Sequence, residues 1–138
     1  MKNKKVLLTV TFFIYVVFML WMTLFKREPR EDRKILLDLF WAFRAWISDQ
    51  KRGQEEAIQY LKNVLFYIPF GFMFPLKKKG WKVLLVSALG LSVTVELFQY
   101  VFKLGWCELD DIVSNCLGAF IGYESFRLVV CCKIIEEE

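Results

Sequence analysis

Two stretches of the chain place polar side chains at helical spacing within otherwise apolar sequence. The first set recurs every three or four residues and consists of Ser92, Glu96, Gln99 and Lys103. The second set has the same spacing and consists of Asp111, Asn115, Gly118, Gly122 and Ser125. At about 100° per residue, each set falls on one face of a helix. Because antiparallel neighbours joined by a short turn pack together, we expect the two faces to meet.

Carboxylates and amides define the chemistry available to these faces, because the chain has no histidine. The absence of histidine excludes Ser-His-Asp catalysis and His-ligated zinc. Glu96, Asp110 and Asp111 could still hold a hard cation such as Mg²⁺ and support phosphoryl chemistry on a polyprenyl phosphate. Two alternatives need no metal: the faces bind the amine, sugar or peptide groups of a ligand, or they only hold the helices together.

The composition indicates a membrane protein. Of the 138 residues, 57% are hydrophobic and 17% are aromatic, whereas soluble domains are about 45–50% apolar. A chain of this length buries only about two-thirds of its unfolded surface, so a water-soluble fold would expose much apolar surface. Disorder is excluded because disordered chains are poor in aromatic and β-branched residues.

We predict an all-α, four-helix transmembrane bundle that forms a single domain over residues 1–138, with spans at about residues 6–25, 60–76, 81–102 and 111–132. The first span carries no charge and is about 30 Å long as a helix, which matches the hydrocarbon core. The second is short and contains Pro69, Gly71 and Pro75, so we expect a broken helix. An ionisable group at the membrane centre costs at least ~2.5 kcal/mol, so the polar faces of the last two spans should point inward.

The distribution of charge predicts the orientation of these spans. Lysines concentrate before the first span and at residues 77–82, whereas the turn before the fourth span is acidic. Under the positive-inside rule, both termini are therefore cytoplasmic. In the fourth span, Glu124 and Arg127 lie three residues apart on the opposite side from the polar face, and we predict that they form an ion pair.

The long segment at residues 26–59 is predicted to lie on the outer side of the membrane. Within it, residues 35–48 have a wide apolar face with two tryptophans, which is typical of an amphipathic helix in the membrane interface. Arg44 falls within the apolar arc. Its guanidinium either reaches lipid phosphates or meets a buried carboxylate. For Glu96, we expect Arg44 or Lys103 as the cationic neighbour and Asn115 within contact reach.

Three motifs, in this order and at these separations, resemble the VanZ-like family. They are Asn-x-x-x-x-x-Pro-x-Gly at residues 63–71, Glu-x-x-Gln at 96–99 and Asp-x-x-x-Asn-x-x-Gly-x-x-x-Gly at 111–122. The end of the first span and the Phe43-Arg44 pair also fit, so the resemblance covers nearly the whole chain. Many relatives carry an arginine in the turn before the aspartate, where this chain has Gly105-Trp106-Cys107.

The resemblance implies a small protein of the bacterial cytoplasmic membrane that is linked to reduced susceptibility to teicoplanin-type glycopeptides. These are lipophilic drugs that bind peptidoglycan precursors outside the cell. We therefore favour a non-enzymatic protein that binds an amphiphilic or lipid-linked envelope ligand in an outward-facing polar pocket. The alternatives are a metal-dependent enzyme acting on a lipid phosphate and a structural accessory subunit.

The candidate ligand-binding residues combine the two polar faces, the shared motifs and the outer arginine: Arg44, Asn63, Pro69, Glu96, Gln99, Asp111, Asn115 and Gly118. The aromatic residues of the second span are expected to line an acyl groove, and these are Phe66, Tyr67, Phe70 and Phe72. The expected partners are membrane lipids and a lipid-linked cell-wall precursor or lipoglycopeptide. No cofactor and no nucleic acid is expected, and the sequence does not indicate an oligomeric state.

Overall fold

The computed structural model describes residues 2–25, 32–48, 51–74 and 80–136, and this part of the chain is almost entirely helical. The helices are α1 (Lys2–Phe25), α2 (Trp41–Ile47), α3 (Lys51–Met73), α4 (Trp81–Val101) and α5 (Leu109–Glu136). Two short strands, β1 (Ile35–Leu36) and β2 (Cys107–Glu108), pair in parallel. Pro75 and the lysines at positions 77–79 lie outside the described residues.

Two of the described helices are long and apolar enough to cross a membrane, judged by length and composition: Val6–Phe25 within α1 and Trp81–Val101. Only 11% of the first stretch and 28% of the second are buried inside the protein. A core helix of a soluble protein would be mostly buried, whereas these helices leave large apolar side chains exposed. Such extended apolar surface is compatible with lipid rather than with water.

Glycine residues let α3 and α5 cross so closely that the backbones of the two helices touch. A Cβ atom added at Gly118 would lie 2.2 Å from the Val64 carbonyl oxygen, and one at Gly122 would lie 1.9 Å from the Ile68 carbonyl oxygen. Small residues permit such close approach of membrane helices. Because both contacts advance in the same direction along the two helices, α3 and α5 run parallel. The glycines of the second polar face therefore pack on α3, while the polar residues of that face meet α4.

The break predicted in the second span is wrong. Helix α3 continues through Pro69 and Gly71 to Met73, and it begins at Lys51, well before the predicted start near residue 60. Proline removes one backbone donor, but a membrane helix tolerates this loss when neighbouring helices pack around it. Gly71 serves this packing, because a Cβ there would lie 1.8 Å from the Ala119 carbonyl oxygen.

The apolar core lies between α1, α3, α4 and α5 and consists of Phe12, Met19, Tyr67, Phe70, Phe74, Leu84, Ala88, Ala119 and Tyr123. The rings of Phe12 and Phe70 pack at 5.3 Å between centroids. The Tyr15 hydroxyl donates to the Phe66 carbonyl oxygen. The expectation that Tyr67 and Phe70 line an acyl groove is therefore wrong, because both rings are buried among the helices.

The helix predicted over residues 35–48 forms only in its second half. Ile35 and Leu36 instead pair with β2, and the backbone of Phe40 turns into the left-handed region, with φ 57°, before α2 begins. The Phe40 N–H donates to Asp110 Oδ1 at 2.7 Å. Long-range backbone pairing and this charge-assisted hydrogen bond override the local helical periodicity.

Candidate functional site

The buried polar side chains collect toward one end of the bundle. They are Asn63, Ser92, Glu96, Gln99, Glu108, Asp110, Asp111, Ser114 and Asn115, and we call this set the polar cluster. Helices α1 and α4 end here, because Gln99 Nε2 donates to the Thr23 carbonyl oxygen at 3.0 Å. Helices α3 and α5 start at this same end. The site is therefore built where two helices end and two begin.

The two polar faces meet inside the protein, as their spacing predicts. Asn115 Nδ2 on α5 donates to Ser92 Oγ on α4 at 2.8 Å, and both residues are buried. One turn away, the Glu108 N–H donates to Glu96 Oε2 at 3.0 Å. Residues of α4 and of the chain leading into α5 therefore satisfy part of each other's hydrogen-bonding capacity.

Four carboxylates lie in this cluster, and none is more than 5% exposed: Glu96, Glu108, Asp110 and Asp111. Asp110 and Asp111 belong to the first turn of α5, where the helix dipole favours negative charge. Asp111 begins the third motif and Asp110 directly precedes it, so both positions were visible in the sequence. The burial of Glu108 was not, because nothing in its spacing separates it from an exposed loop residue.

Several polar atoms of the cluster lack a hydrogen-bond partner among the described residues. Three of these atoms are acceptors: Gln99 Oε1, Asp110 Oδ2 and Asn115 Oδ1. The donor Asn63 Nδ2 also lacks a partner. A buried polar atom left unpaired costs about 1–3 kcal/mol. The prevalence of acceptors means that the cluster can receive hydrogen bonds from a donor-bearing group.

The cationic neighbours predicted for Glu96 are both exposed, whereas Glu96 itself is buried. The pairing of Glu96 with Arg44 or Lys103 stays a prediction. Helix α2 packs through Phe43, whose ring meets Tyr60 edge-on at 5.1 Å between centroids. Because Arg44 is the next residue on a helix, this contact turns its side chain away from the bundle.

The segment at residues 32–36 covers the turn before α5. Trp106 Nε1 donates to Asp32 Oδ1 at 3.2 Å, and Lys34 Nζ lies 2.8 Å from Asp32 Oδ2. The Lys34 ammonium also lies 4.7 Å from the centroid of the Trp106 ring. Hydrogen bonds from Lys34 and Trp106 lower the pKa of Asp32, and burial raises the pKa of the Cys107 thiol, with Glu96 contributing. No pattern in the sequence predicts the Asp32–Trp106 contact.

The described residues do not assemble a metal centre. No three side chains of His, Cys, Asp or Glu come together there in a way that could hold a metal ion. Of the three carboxylates considered for a cation, Glu96 accepts from the backbone of Glu108 and Asp110 from that of Phe40. Glu96 and Asp110 thus each accept a hydrogen bond from a different backbone N–H.

Five of the eight candidate ligand-binding residues lie in the polar cluster: Asn63, Glu96, Gln99, Asp111 and Asn115. Pro69 and Gly118 lie instead in the region where α3 crosses α5, and Arg44 lies on the exposed side of α2. The ion pair predicted outside the cluster is confirmed, because Arg127 Nη1 donates to both carboxylate oxygens of Glu124 at 3.0 Å.

Comparison with known proteins places this arrangement in a family. The sequence model of the VanZ/LLP1 family matches residues 12–131 of this chain. The chain belongs to the VanZ/LLP1 family. Protein VanZ of Enterococcus faecium is 26% identical to this VanZ/LLP1 chain over 118 residues, which cover 83% of this chain and 70% of that protein. No solved structure matches the chain significantly. The family resemblance seen in the motifs is thereby confirmed, and together with the two apolar helices it indicates a membrane protein.

Proposed function

We propose that this VanZ/LLP1 protein crosses the bacterial cytoplasmic membrane four times, with both termini in the cytoplasm. The contacts between helices support alternating directions, since α3 and α5 run parallel and start at the end where α1 and α4 finish. The lysine-rich turn at residues 77–82 then lies inside and the acidic turn at 108–111 lies outside. In this orientation the polar cluster is near the outer surface.

The proposed activity is the binding of a donor-bearing headgroup by the polar cluster. The ligand is an amphiphilic or lipid-linked molecule of the cell envelope, and its amine, amide or hydroxyl groups pair with buried acceptors. The observation that carries this proposal is the set of acceptors on Gln99, Asp110 and Asn115 that have no hydrogen-bond partner in the described part of the chain. A ligand that donates hydrogen bonds to these acceptors offsets part of the free energy lost when the acceptors were removed from water.

The proposed physiological role is reduced susceptibility to teicoplanin-type glycopeptides. It rests on membership of the VanZ/LLP1 family and on the relationship to protein VanZ. An enzyme that acts on lipid phosphates through a bound cation needs a group of metal ligands, and the described residues contain no such group of three or more His, Cys, Asp or Glu side chains. A purely structural role for the cluster is the competing explanation, and the following variant separates the two.

Glu96→Gln keeps the size of the side chain and retains an oxygen acceptor for the Glu108 N–H, but it removes the charge. If the cluster binds ligand through that charge, cells producing Glu96→Gln should lose protection against teicoplanin while keeping wild-type abundance in the membrane. Growth in graded teicoplanin and immunoblotting of membranes measure the two quantities. The control is Glu124→Gln, which neutralises a carboxylate outside the cluster and should keep protection. Wild-type protection by Glu96→Gln, with loss of abundance in Glu96→Ala, would show that the residue is structural.

A further inference from the structure

A groove outside the polar cluster runs between α2 and α3. It has a volume of about 310 Å³ and is lined by Trp46, Gln54, Ala57, Ile58 and Leu61. Sites for small molecules and cofactors begin at about 300 Å³. We propose that this groove holds one ester-linked acyl chain of a phospholipid from the surrounding leaflet.

The lining of the groove is matched to a hydrocarbon chain rather than to a headgroup. Among the described residues that line it, none is charged and Gln54 is the one amide. Along α3, Gln54, Ile58 and Leu61 follow at about one-turn intervals, so polarity falls from the start of the helix toward its middle. Gln54 therefore lies where an ester carbonyl would accept a hydrogen bond, and Leu61 lies where methylene groups would pack.

The groove continues into the apolar outer surface of α3. Ile58 is 52% exposed, Leu61 54% and Leu65 65%, and they follow one another down the helix. An acyl chain that enters at Gln54 can therefore run from the groove along these exposed apolar side chains. This continuity with surface suited to lipid distinguishes the groove from a closed internal cavity.

Helix α2 supplies the second wall that a bare helix surface lacks. The edge-on contact between Phe43 and Tyr60 holds α2 against α3, and Trp46, which is 50% exposed, forms part of the wall. Tryptophan is enriched at the membrane–water interface, the level at which acyl esters lie. Helices α2 and α3 therefore contact an acyl chain from two sides, whereas the lipid-facing side of α5 would contact it from one side.

This inference depends on the groove and its membrane setting and not on the polar cluster. The polar cluster can fail to bind a ligand without affecting the inference about the groove. A groove that binds no acyl chain would likewise leave the proposed function of the polar cluster unaffected.

Photolabelling tests the proposal with the whole protein in bilayers. The probe is phosphatidylcholine with a diazirine in the middle of one acyl chain, added in trace amounts to unlabelled phosphatidylcholine. Mass spectrometry of the digested protein should find labels on Trp46 and residues 57–61 at higher yield than on exposed Leu128 of α5. Leu61→Trp should fill the groove and reduce the yield on Trp46 to the level of Leu128. The matched control is Leu65→Trp, one turn farther along α3, which should leave the labelling of Trp46 unchanged.

A second variant keeps the test informative if Leu61→Trp fails to fold. Gln54→Leu preserves an uncharged lining and removes the amide, and should lower labelling in the groove about fivefold, as expected for one lost hydrogen bond. Equal labelling of all exposed apolar residues, or an equal effect of both tryptophan variants, would overturn the proposal. Cross-linking of the groove to a second copy of the chain, with no lipid label there, would overturn it too.

Discussion

At the scale of single residues, two buried amides of the polar cluster are only half satisfied. Asn115 donates to Ser92 Oγ, and Gln99 donates to the Thr23 carbonyl oxygen, but the oxygen atom of each amide lacks a partner among the described residues. Each amide thus joins helices through its nitrogen and presents an acceptor through its oxygen. Structural and ligand-binding roles can therefore belong to the same side chain.

The hydrogen bond between Asn115 and Ser92 is predicted to contribute measurably to stability. Ser92→Ala leaves the Asn115 nitrogen buried without an acceptor, so we expect a loss of about 1–3 kcal/mol in the free energy of unfolding. The double variant Ser92→Ala with Asn115→Leu should lose less than the sum of the single variants, because it leaves no unpaired amide. Reversible unfolding in detergent measures these differences.

Ser87→Ala is the control for this experiment, because Ser87 Oγ donates only to the Val83 carbonyl oxygen within α4. We expect little change in its free energy of unfolding. If Ser92→Ala costs no more than Ser87→Ala, the contact between the two polar faces does not stabilise the bundle.

At the scale of helices, the crossing of α3 and α5 determines how the polar cluster is assembled. The glycines of α5 let its backbone touch that of α3, while Asn115, one turn earlier, faces Ser92 of α4. One helix thus packs on two neighbours through different parts of the same face. The sequence pattern predicted that face, but the partner of each part depends on the crossing.

Replacement of either crossing glycine by alanine is predicted to prevent normal packing. In Gly118→Ala and Gly122→Ala, the new Cβ meets a backbone carbonyl oxygen at about 2 Å, and backbone cannot move aside as a flexible side chain can. We expect loss of monodisperse protein in size-exclusion chromatography. Gly90→Ala is the control, because a Cβ there has no neighbour within 4 Å, and its higher helix propensity should leave α4 at least as stable. Wild-type behaviour of both crossing variants would contradict the close packing.

At the scale of the whole molecule, the described helices alternate in direction and bring the polar cluster, β1 and β2 to one end. At the other end α3 finishes at Met73 and α4 begins at Trp81, and in the sequence lysines concentrate at residues 77–82. The separation of basic and acidic connections along the bundle axis is the physical basis of the proposed orientation.

Cysteine labelling is predicted to place these two ends on opposite sides of the membrane. In a variant without the native cysteines, Leu104→Cys should react with an impermeant maleimide added to intact cells, and Lys79→Cys should not. Permeabilised cells should label both, which controls for reactivity. Labelling of Lys79→Cys alone in intact cells would reverse the proposed topology.

The sequence by itself determined the membrane class, the approximate positions of α1, α4 and α5 and the two polar faces. These features are local, since hydrophobic run length and helical spacing are written in consecutive residues. Tertiary structure decided what local patterns do not encode. The pairing of β1 with β2 and the hydrogen bond from the Phe40 N–H to Asp110 made the interfacial helix shorter than predicted. Packing against α5 allowed α3 to continue past Pro69. The contact of Phe43 with Tyr60 holds α2 against α3 and leaves Arg44 exposed. In each case residues far apart in sequence compete with local preference, and the contact they make outweighs it.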